Sequence, residues 1–392
     1  MYERKVADIV LIKNGLVYNS DTLEFEKKNI IIENGVIKAF TFEEREDVAV
    51  DVEGKLILPA LVDVHTHGRY GFDFISCSEE ELHIMAKSYA QSGVASVMPT
   101  LASASFDDML AAVDRINRFE PKEDEARFVG VHIEGRYLNP KKKGAHAESL
   151  LKPLAASELE AEQFKGCRAL HISAAFELDD GSFAAKAKEI GATLGLGHTN
   201  ADYAEAKRAE SMGITSYTHL FNCMPPLHHR DGGAVSAALT SDAYTELICD
   251  GIHISPEMVK LAYTCKGAKR LSLITDSMEA TGCADGEYSI AGNKVIVKNG
   301  VALTESGALA GSTLNMFDAV INLMRFCGIS FEEAVLSATA TPARQMGVYD
   351  SCGSIDIGKS ADLLVVDSFD RSVIDKVIVR GISVKLGGRY AK

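Results

Sequence analysis

The stretch Val62-Asp63-Val64-His65-Thr66-His67 decides the architecture. It ends an apolar run that begins near residue 56, and it delivers two histidines spaced by one residue. On an extended strand, residues two apart point to the same face, so both imidazoles look one way. Other apolar runs end alike: Val131-His132-Ile133-Glu134, Gly197-His198, Thr218-His219, Asp250-Gly251-Ile252-His253 and Ile274-Thr275-Asp276. Any one of these histidines alone reads as a satisfied core or surface residue. A series of strand ends that each deliver His, Glu or Asp is hard to explain by packing.

Working outward, strand-like runs fall at 56–64, 95–100, 127–133, 169–175, 193–197, 215–220, 246–250 and 271–275. Helix-like segments separate most of them, at 79–92, 106–119, 155–164, 183–190, 201–212 and 256–266. The link between strands six and seven carries the weakest pattern. Short buried strands alternating with helices predict an α/β fold, a (β/α)8 TIM-like barrel, whose catalytic groups gather at the C-terminal strand ends. The Gly/Asn-rich segment 286–304 reads as a β-hairpin inserted after strand eight, ahead of helices at about 313–327 and 331–340.

Both chain ends are β-like. Residues 9–12, 15–18, 29–32 and 36–37 are short β-branched runs, with Asn14-Gly15 and Asn34-Gly35 read as turns. Leu363–Val366 and Lys376–Val379, before Arg380-Gly381, repeat the style. The expected division is a small β-sandwich domain from 1–54 and 353–392, with the barrel at 55–352 between them.

Composition narrows the function. The 392 residues carry 41 Lys+Arg against 55 Asp+Glu, a net charge of −14, which argues against a nucleic-acid surface. With 46% hydrophobic and 24% charged residues, the chain is globular rather than disordered. Met1-Tyr2-Glu3-Arg4-Lys5 and the short apolar run behind it do not make a signal peptide, and no run is long enough to span a membrane. The eight cysteines form no CxxC, so reduced, mostly buried thiols in a cytoplasmic protein are expected. Cys223 and Cys249, beside site motifs, read as packing or backbone positions.

The strand-end residues suggest chemistry. His65 and His67 on one face can chelate a divalent ion, and imidazole with carboxylate suits zinc, iron, manganese or cobalt. Glu134, His198 and His219 are candidates for a second metal position. Asp276 is placed to take a proton from water and pass it to a leaving group, which makes this a hydrolase-type site. Blander readings hold elsewhere. His171 is a core residue, His132 structural and His83 a solvated helix residue. Glu279 and Glu305 are surface acids. His228 and His229 are either phosphate contacts or loop surface. Lys141 to Lys143 form a solvated turn or a positive approach for an anion.

His65-x-His67, the single histidines on strands five and six, Asp276, and Ser354-Ile-Asp-Ile-Gly358-Lys-Ser-Ala361-Asp362-Leu363 together resemble the amidohydrolase superfamily. Strand four reads Ala169-Leu-His171-Ile-Ser173, without lysine, so members that bridge metals with a carboxylated lysine are less similar. Glu134 takes the bridging place. The ordered series Glu134-Gly135, Leu138-Asn139-Pro140, Gly144-Ala145-His146, Thr218-His219-Leu220-Phe221-Asn222, Pro226–Arg230 and Leu309-Ala310-Gly311-Ser312-Thr313 is more specific. Over nearly the whole chain it is similar to the branch that deacetylates N-acetylglucosamine 6-phosphate.

The resemblance implies a role for each position. Glu134, His198 and His219 hold the main metal, and His65 and His67 match members that hold a second ion, so one or two ions are expected. Asp276 is the general base and then the acid. His146 hydrogen-bonds the acetyl carbonyl. Ala145, Asn222, Cys223, Arg230, His253 and the Leu309-Ala310-Gly311 backbone line the sugar-phosphate site. Phosphate contacts across a subunit interface imply a homodimer. Arg136-Tyr137 replaces Pro-Phe of the family, Ala60 and Cys223 replace a glycine and an alanine, and Asp231-Gly232 replaces Glu-Pro. These departures leave open N-acetylgalactosamine 6-phosphate as the substrate. Another amidohydrolase acting on a small amide, or a non-catalytic sugar-phosphate binder, are the remaining alternatives.

Overall fold

The computed structural model describes residues 9–42 and 49–390. The reading of Met1 to Lys5, and the outermost parts of the expected β-domain, lie outside the described residues. Barrel strands one to eight are Leu61–Thr66, Val94–Leu101, Val131–Glu134, Leu170–Ala174, Thr193–Leu196, Ser216–Tyr217, Tyr244–Ile248 and Leu271–Ile274. They pair in parallel, in sequence order. Helices cover the outside, so the strands are buried on both faces and read as nearly unbroken apolar runs.

The ring closes at its C-terminal mouth. Thr66 bridges Ser277 in parallel. The Asp276 amide donates to the His65 carbonyl at 2.9 Å, and the His67 amide to the Ser277 carbonyl at 2.8 Å. Asp63 ties the same seam below, its carboxylate accepting from the Thr275 hydroxyl at 2.6 Å. The residues that close the barrel are therefore those that the sequence marks for chemistry.

Several elements differ from expectation. The run at 56–64 serves two sheets. Leu56–Pro59 pairs with Leu363–Val366 and with Leu16-Val17, and the barrel strand starts only at Leu61, whose amide donates to Gly93. Both halves are buried, so hydrophobicity alone does not show the break at Ala60. The link between strands six and seven holds a helix, Gly233–Thr240, built from small uncharged residues with no amphipathic stripe to betray it. The segment at 155–164 is a 3-10 turn, Ala156–Glu160, and a short helix, Glu162–Lys165. The last expected helix, 331–340, stops at Leu336, and a further helix, Ala340–Gln345, starts after Thr339 leaves helical geometry at φ −131°.

Strands from both chain ends form one sheet, which contains Ile9–Asn19, Glu24–Glu33, Val36–Thr41, Leu56–Pro59, Leu363–Val366, Ile374–Val379 and Ile382–Val384. It folds back on itself as a small β-sandwich. The Ala361 amide reaches the Gly35 carbonyl at 2.8 Å, and Ile12, Val17, Ile30, Ile57, Leu363 and Ile378 bury a core of their own. Asn34-Gly35 is the expected turn. Asn14-Gly15 is not: it is a bulge inside one strand, with Asn14 at φ 62°. A Cβ on Gly15 would lie 2.1 Å from Ile57 Cδ1, so glycine lets the strand pass.

The segment expected as a hairpin is a three-stranded antiparallel meander, Gly286–Ile290, Asn293–Lys298 and Val301–Thr304. Asn299-Gly300, both at positive φ, supply the second turn. The meander is tied to the barrel mouth where Asn293 Nδ2 donates to the Ala145 carbonyl at 2.7 Å. Among the described residues, no helix is long and apolar enough to cross a membrane.

Candidate active site

Strand ends bring the marked side chains together. His65 and His67 end strand one, Glu134 ends strand three, and His198, His219 and Asp276 follow strands five, six and eight. The last three have left-handed backbones, at φ 46°, 31° and 49°. Such geometry costs a non-glycine residue about 1–2 kcal/mol, and it clusters where a chain must turn a side chain sharply inward.

Glu134 is the hub. Its Oε1 lies 2.8 Å from His219 Nε2 and 3.3 Å from His198 Nε2. Its Oε2 lies 3.0 Å from His67 Nε2 and 3.2 Å from His65 Nε2. Asp276 Oδ1 is 3.2 Å from His67 Nε2. Two buried ligand groups result, His65–His67–Glu134 and Glu134–His198–His219, which share the carboxylate.

These donors fit a divalent metal. The outer nitrogen of His65 is held by Glu246 Oε2 at 3.0 Å, and that of His198 by the Lys142 carbonyl at 2.8 Å. A ring that donates through Nδ1 keeps its Nε2 lone pair for an ion. His67 Nδ1 and His219 Nδ1 are buried with no hydrogen-bond partner among the described residues. Four imidazoles and a shared carboxylate form a donor set that suits zinc, iron, manganese or cobalt.

Without an ion, the cluster is balanced by protons. Burial opposes charging His67, but its bonds to Asp276 and Glu134 prevail and lift its pKa to about 9. His65 and His198 are also raised, against their burial, His65 chiefly by Glu134 and Asp276 and His198 by Cys223 and Glu134. Burial alone would raise Asp276, yet the charge of His65 and the bond to His67 hold it down at about 2.

His146 is different. Burial and the neighbouring His198 push its pKa well below the usual histidine value, so the ring is neutral. Its Nδ1 accepts from the Ser103 amide at 3.3 Å and lies 2.8 Å from the Ser103 hydroxyl. The proton therefore sits on Nε2, and the ring can donate. Gly135 permits this approach, because a Cβ there would lie 2.4 Å from the Ser103 nitrogen.

A cavity of about 220 Å³ opens over the cluster. His67, Glu134, His146, His198, His219 and Asp276 line it with Ala145, Asn222, Cys223, His253, Leu309 and Gly311. Ile290 of the meander and Ala308 complete the wall. His253 is bonded to Asp250 at 2.7 Å; burial lowers its pKa, and Asp250 more than reverses this. Ala310 is buried in the meander's own core, and Arg230 stands on an exposed turn outside the cavity.

Other expected residues fall as follows. His132 bonds Thr100 and Ser173 in a buried polar layer beneath His65, and His171 is fully buried. His83 is half-buried rather than freely solvated, and it pairs with Glu125 at 2.7 Å. Arg136 is not a cation beside the ligands. Its guanidinium turns away to Glu158, at 2.8 Å, over the Phe106 ring. Lys142 and Lys143 are tied to the Met224 and His146 carbonyls, while Lys141 is exposed as expected of a solvated turn. His228 and His229 are exposed. Sequence reasoning missed Glu246, Ser103 and Ile290. Glu246 left one signal, an acid inside the apolar strand Tyr244–Ile248.

Comparison with known proteins agrees with this geometry. The profile of the amidohydrolase family matches residues 56–384. An N-acetylglucosamine-6-phosphate deacetylase of Vibrio furnissii is 35% identical over 355 residues, 89% of this chain and 88% of that protein. An N-acetylgalactosamine-6-phosphate deacetylase of Escherichia coli O157:H7 is 35% identical over 344 residues, 86% of this chain and 90% of that protein. The solved structure of a variant N-acetylglucosamine-6-phosphate deacetylase of Mycobacterium smegmatis, in complex with N-acetylglucosamine 6-phosphate, superposes with a TM-score of 0.86 at 26% identity, over 96% of this chain and 99% of that one.

Proposed function

The chain belongs to the amidohydrolase family, and we propose that it hydrolyses N-acetylglucosamine 6-phosphate to glucosamine 6-phosphate and acetate. The observation that carries this reading is the pairing, in one cavity, of a shared Glu134 ligand cluster with Asp276 and a neutral, donating His146. When bound, a divalent metal supplies Lewis acidity and a water that is acidic near neutral pH.

The chain's own residues do the rest. Glu134, His198 and His219 would hold one ion, and His65 and His67 with Glu134 would hold a second; zinc or iron is the preferred identity, with manganese and cobalt also suited. His146 Nε2–H donates to the acetyl carbonyl oxygen and strengthens that bond as negative charge grows there. Asp276, ionised at neutral pH, takes the proton of the attacking water. It then returns the proton to the nitrogen as the C–N bond breaks, so acetate and the free amine leave.

Ala145, Asn222, Cys223, His253 and the Leu309 to Gly311 backbone receive the sugar. His253, held by Asp250, offers positive charge to an anionic ligand. Arg230, exposed on its turn, fits a phosphate contact made to the site of a partner subunit, and so a homodimer. A cytoplasmic location belongs to the same reading, as does division of the chain into a β-domain, expected at 1–54 and 353–392 and extended by Leu56–Pro59, around a central barrel.

The test is a substrate panel for metal-loaded protein. Acetate release is expected from N-acetylglucosamine 6-phosphate in preference to its galactosamine epimer and to the unphosphorylated sugar. No release from either phosphorylated sugar overturns the proposal.

A further inference from the structure

Barrel strand seven carries a buried carboxylate that no step above uses. Glu246 is fully buried, where an unpaired carboxylate is costly. Its Oε2 lies 3.0 Å from His65 Nδ1 and accepts, at 3.4 Å, from the His219 amide. Its Oε1 accepts from Gln345 Nε2 at 2.8 Å. Both oxygens are therefore held, one by the ligand cluster and one by the helix Ala340–Gln345.

The four histidines of the cluster are not held alike. A main-chain carbonyl holds the outer nitrogen of His198, and no described residue holds those of His67 or His219. Of the four, only His65 has its outer nitrogen held by a carboxylate among the described residues. We propose that Glu246 is a positioning residue that makes the His65–His67–Glu134 group able to bind an ion. It accepts the Nδ1–H of His65, directs Nε2 at Glu134 Oε2, and adds negative charge behind the ring. The inference rests on the metal-site reading above. It goes further in assigning the second ion's affinity to a residue that touches neither ion nor substrate.

Glu246→Gln isolates this role. Glutamine keeps the shape and an acceptor for His65, with its carboxamide nitrogen facing the unpartnered Gln345 Oε1, but removes the negative charge behind the ring. Outer partners of this kind change metal affinity by about 10–100-fold. The probe is cobalt(II), titrated into chelator-stripped full-length protein by equilibrium dialysis, with ions per subunit measured by elemental analysis.

The wild type is expected to bind two ions. In Glu246→Gln, one should weaken by about 10–100-fold while the other shifts little. His198→Gln should abolish the ion that survives in Glu246→Gln. The swap Glu246→Gln with Gln345→Glu returns a carboxylate to this buried pair, and with it negative charge behind His65, so it should regain part of the lost affinity. It also carries the test if the single variant fails to fold.

Equal weakening of both ions in Glu246→Gln, no weakening, or a swap variant as poor as the single one would overturn the assignment. A wild type that binds no cobalt overturns the metal reading itself, a distinct result.

Discussion

Loading the stripped protein with metal should release protons, and the amount follows from the cluster. His67 moves from the ordinary 6.5 to about 9, because its bonds to Asp276 and Glu134 outweigh burial. At pH 7 it is protonated, and freeing Nε2 for an ion offsets about 3 kcal/mol of binding. His65 and His198 are raised as well. At least two protons should leave per subunit when both positions fill, and affinity should climb steeply with pH up to about 9. The ion-free protein should behave in the opposite way. A raised histidine pKa stabilises the fold fully below about 6.5 and loses that contribution as pH rises to the folded value, so stability should fall by about 3 kcal/mol on account of His67. Calorimetric titration with cobalt(II) at pH 7, in buffers of different ionisation heat, counts the protons. Fewer than one proton per subunit, or an affinity flat between pH 6.5 and 8.5, would refute the assigned charge balance.

Other outcomes follow from single residues. Asp276→Asn should cut kcat by about 10²–10⁴-fold with folding retained, read by acetate release and thermal melting. His146→Leu should lower kcat by about 10²–10³-fold with KM nearly unchanged. Ser103→Ala should be much milder, because the Ser103 amide, which it keeps, sets the tautomer; an equal loss would show that the hydroxyl matters instead. Gly135→Ala should destabilise the fold by about 1–3 kcal/mol, seen as a lower denaturation midpoint, since its Cβ would meet backbone at 2.4 Å.

How legible the site was depends on what marks a residue in one dimension. His65, His67, Glu134, His198, His219 and Asp276 stand out because a strand buried on both faces has no packing use for them. The same burial hid the break at Ala60, since Leu56–Pro59 and Leu61–Thr66 are equally apolar while serving different sheets. Helix Gly233–Thr240 was hidden because it carries no charged residue, only Ser236 and Thr240 on its outer side. Asn14-Gly15 has the composition of a turn, and only its neighbour Ile57 makes it a bulge. Glu246 and Ser103 acquire meaning from partners 181 and 43 residues away, His65 and His146, which spacing alone does not reveal. Arg136 shows the converse. A cation next to Glu134–Gly135 in sequence is turned away by Glu158 in space.

The most direct test of the account joins chemistry to the ligand cluster in one sample. Stripped protein is reloaded stepwise with metal, and acetate release from N-acetylglucosamine 6-phosphate is measured beside ions bound per subunit. Release is predicted to be absent from the stripped protein and to rise with loading. Full-rate release without bound metal, or none from fully loaded protein, would contradict it.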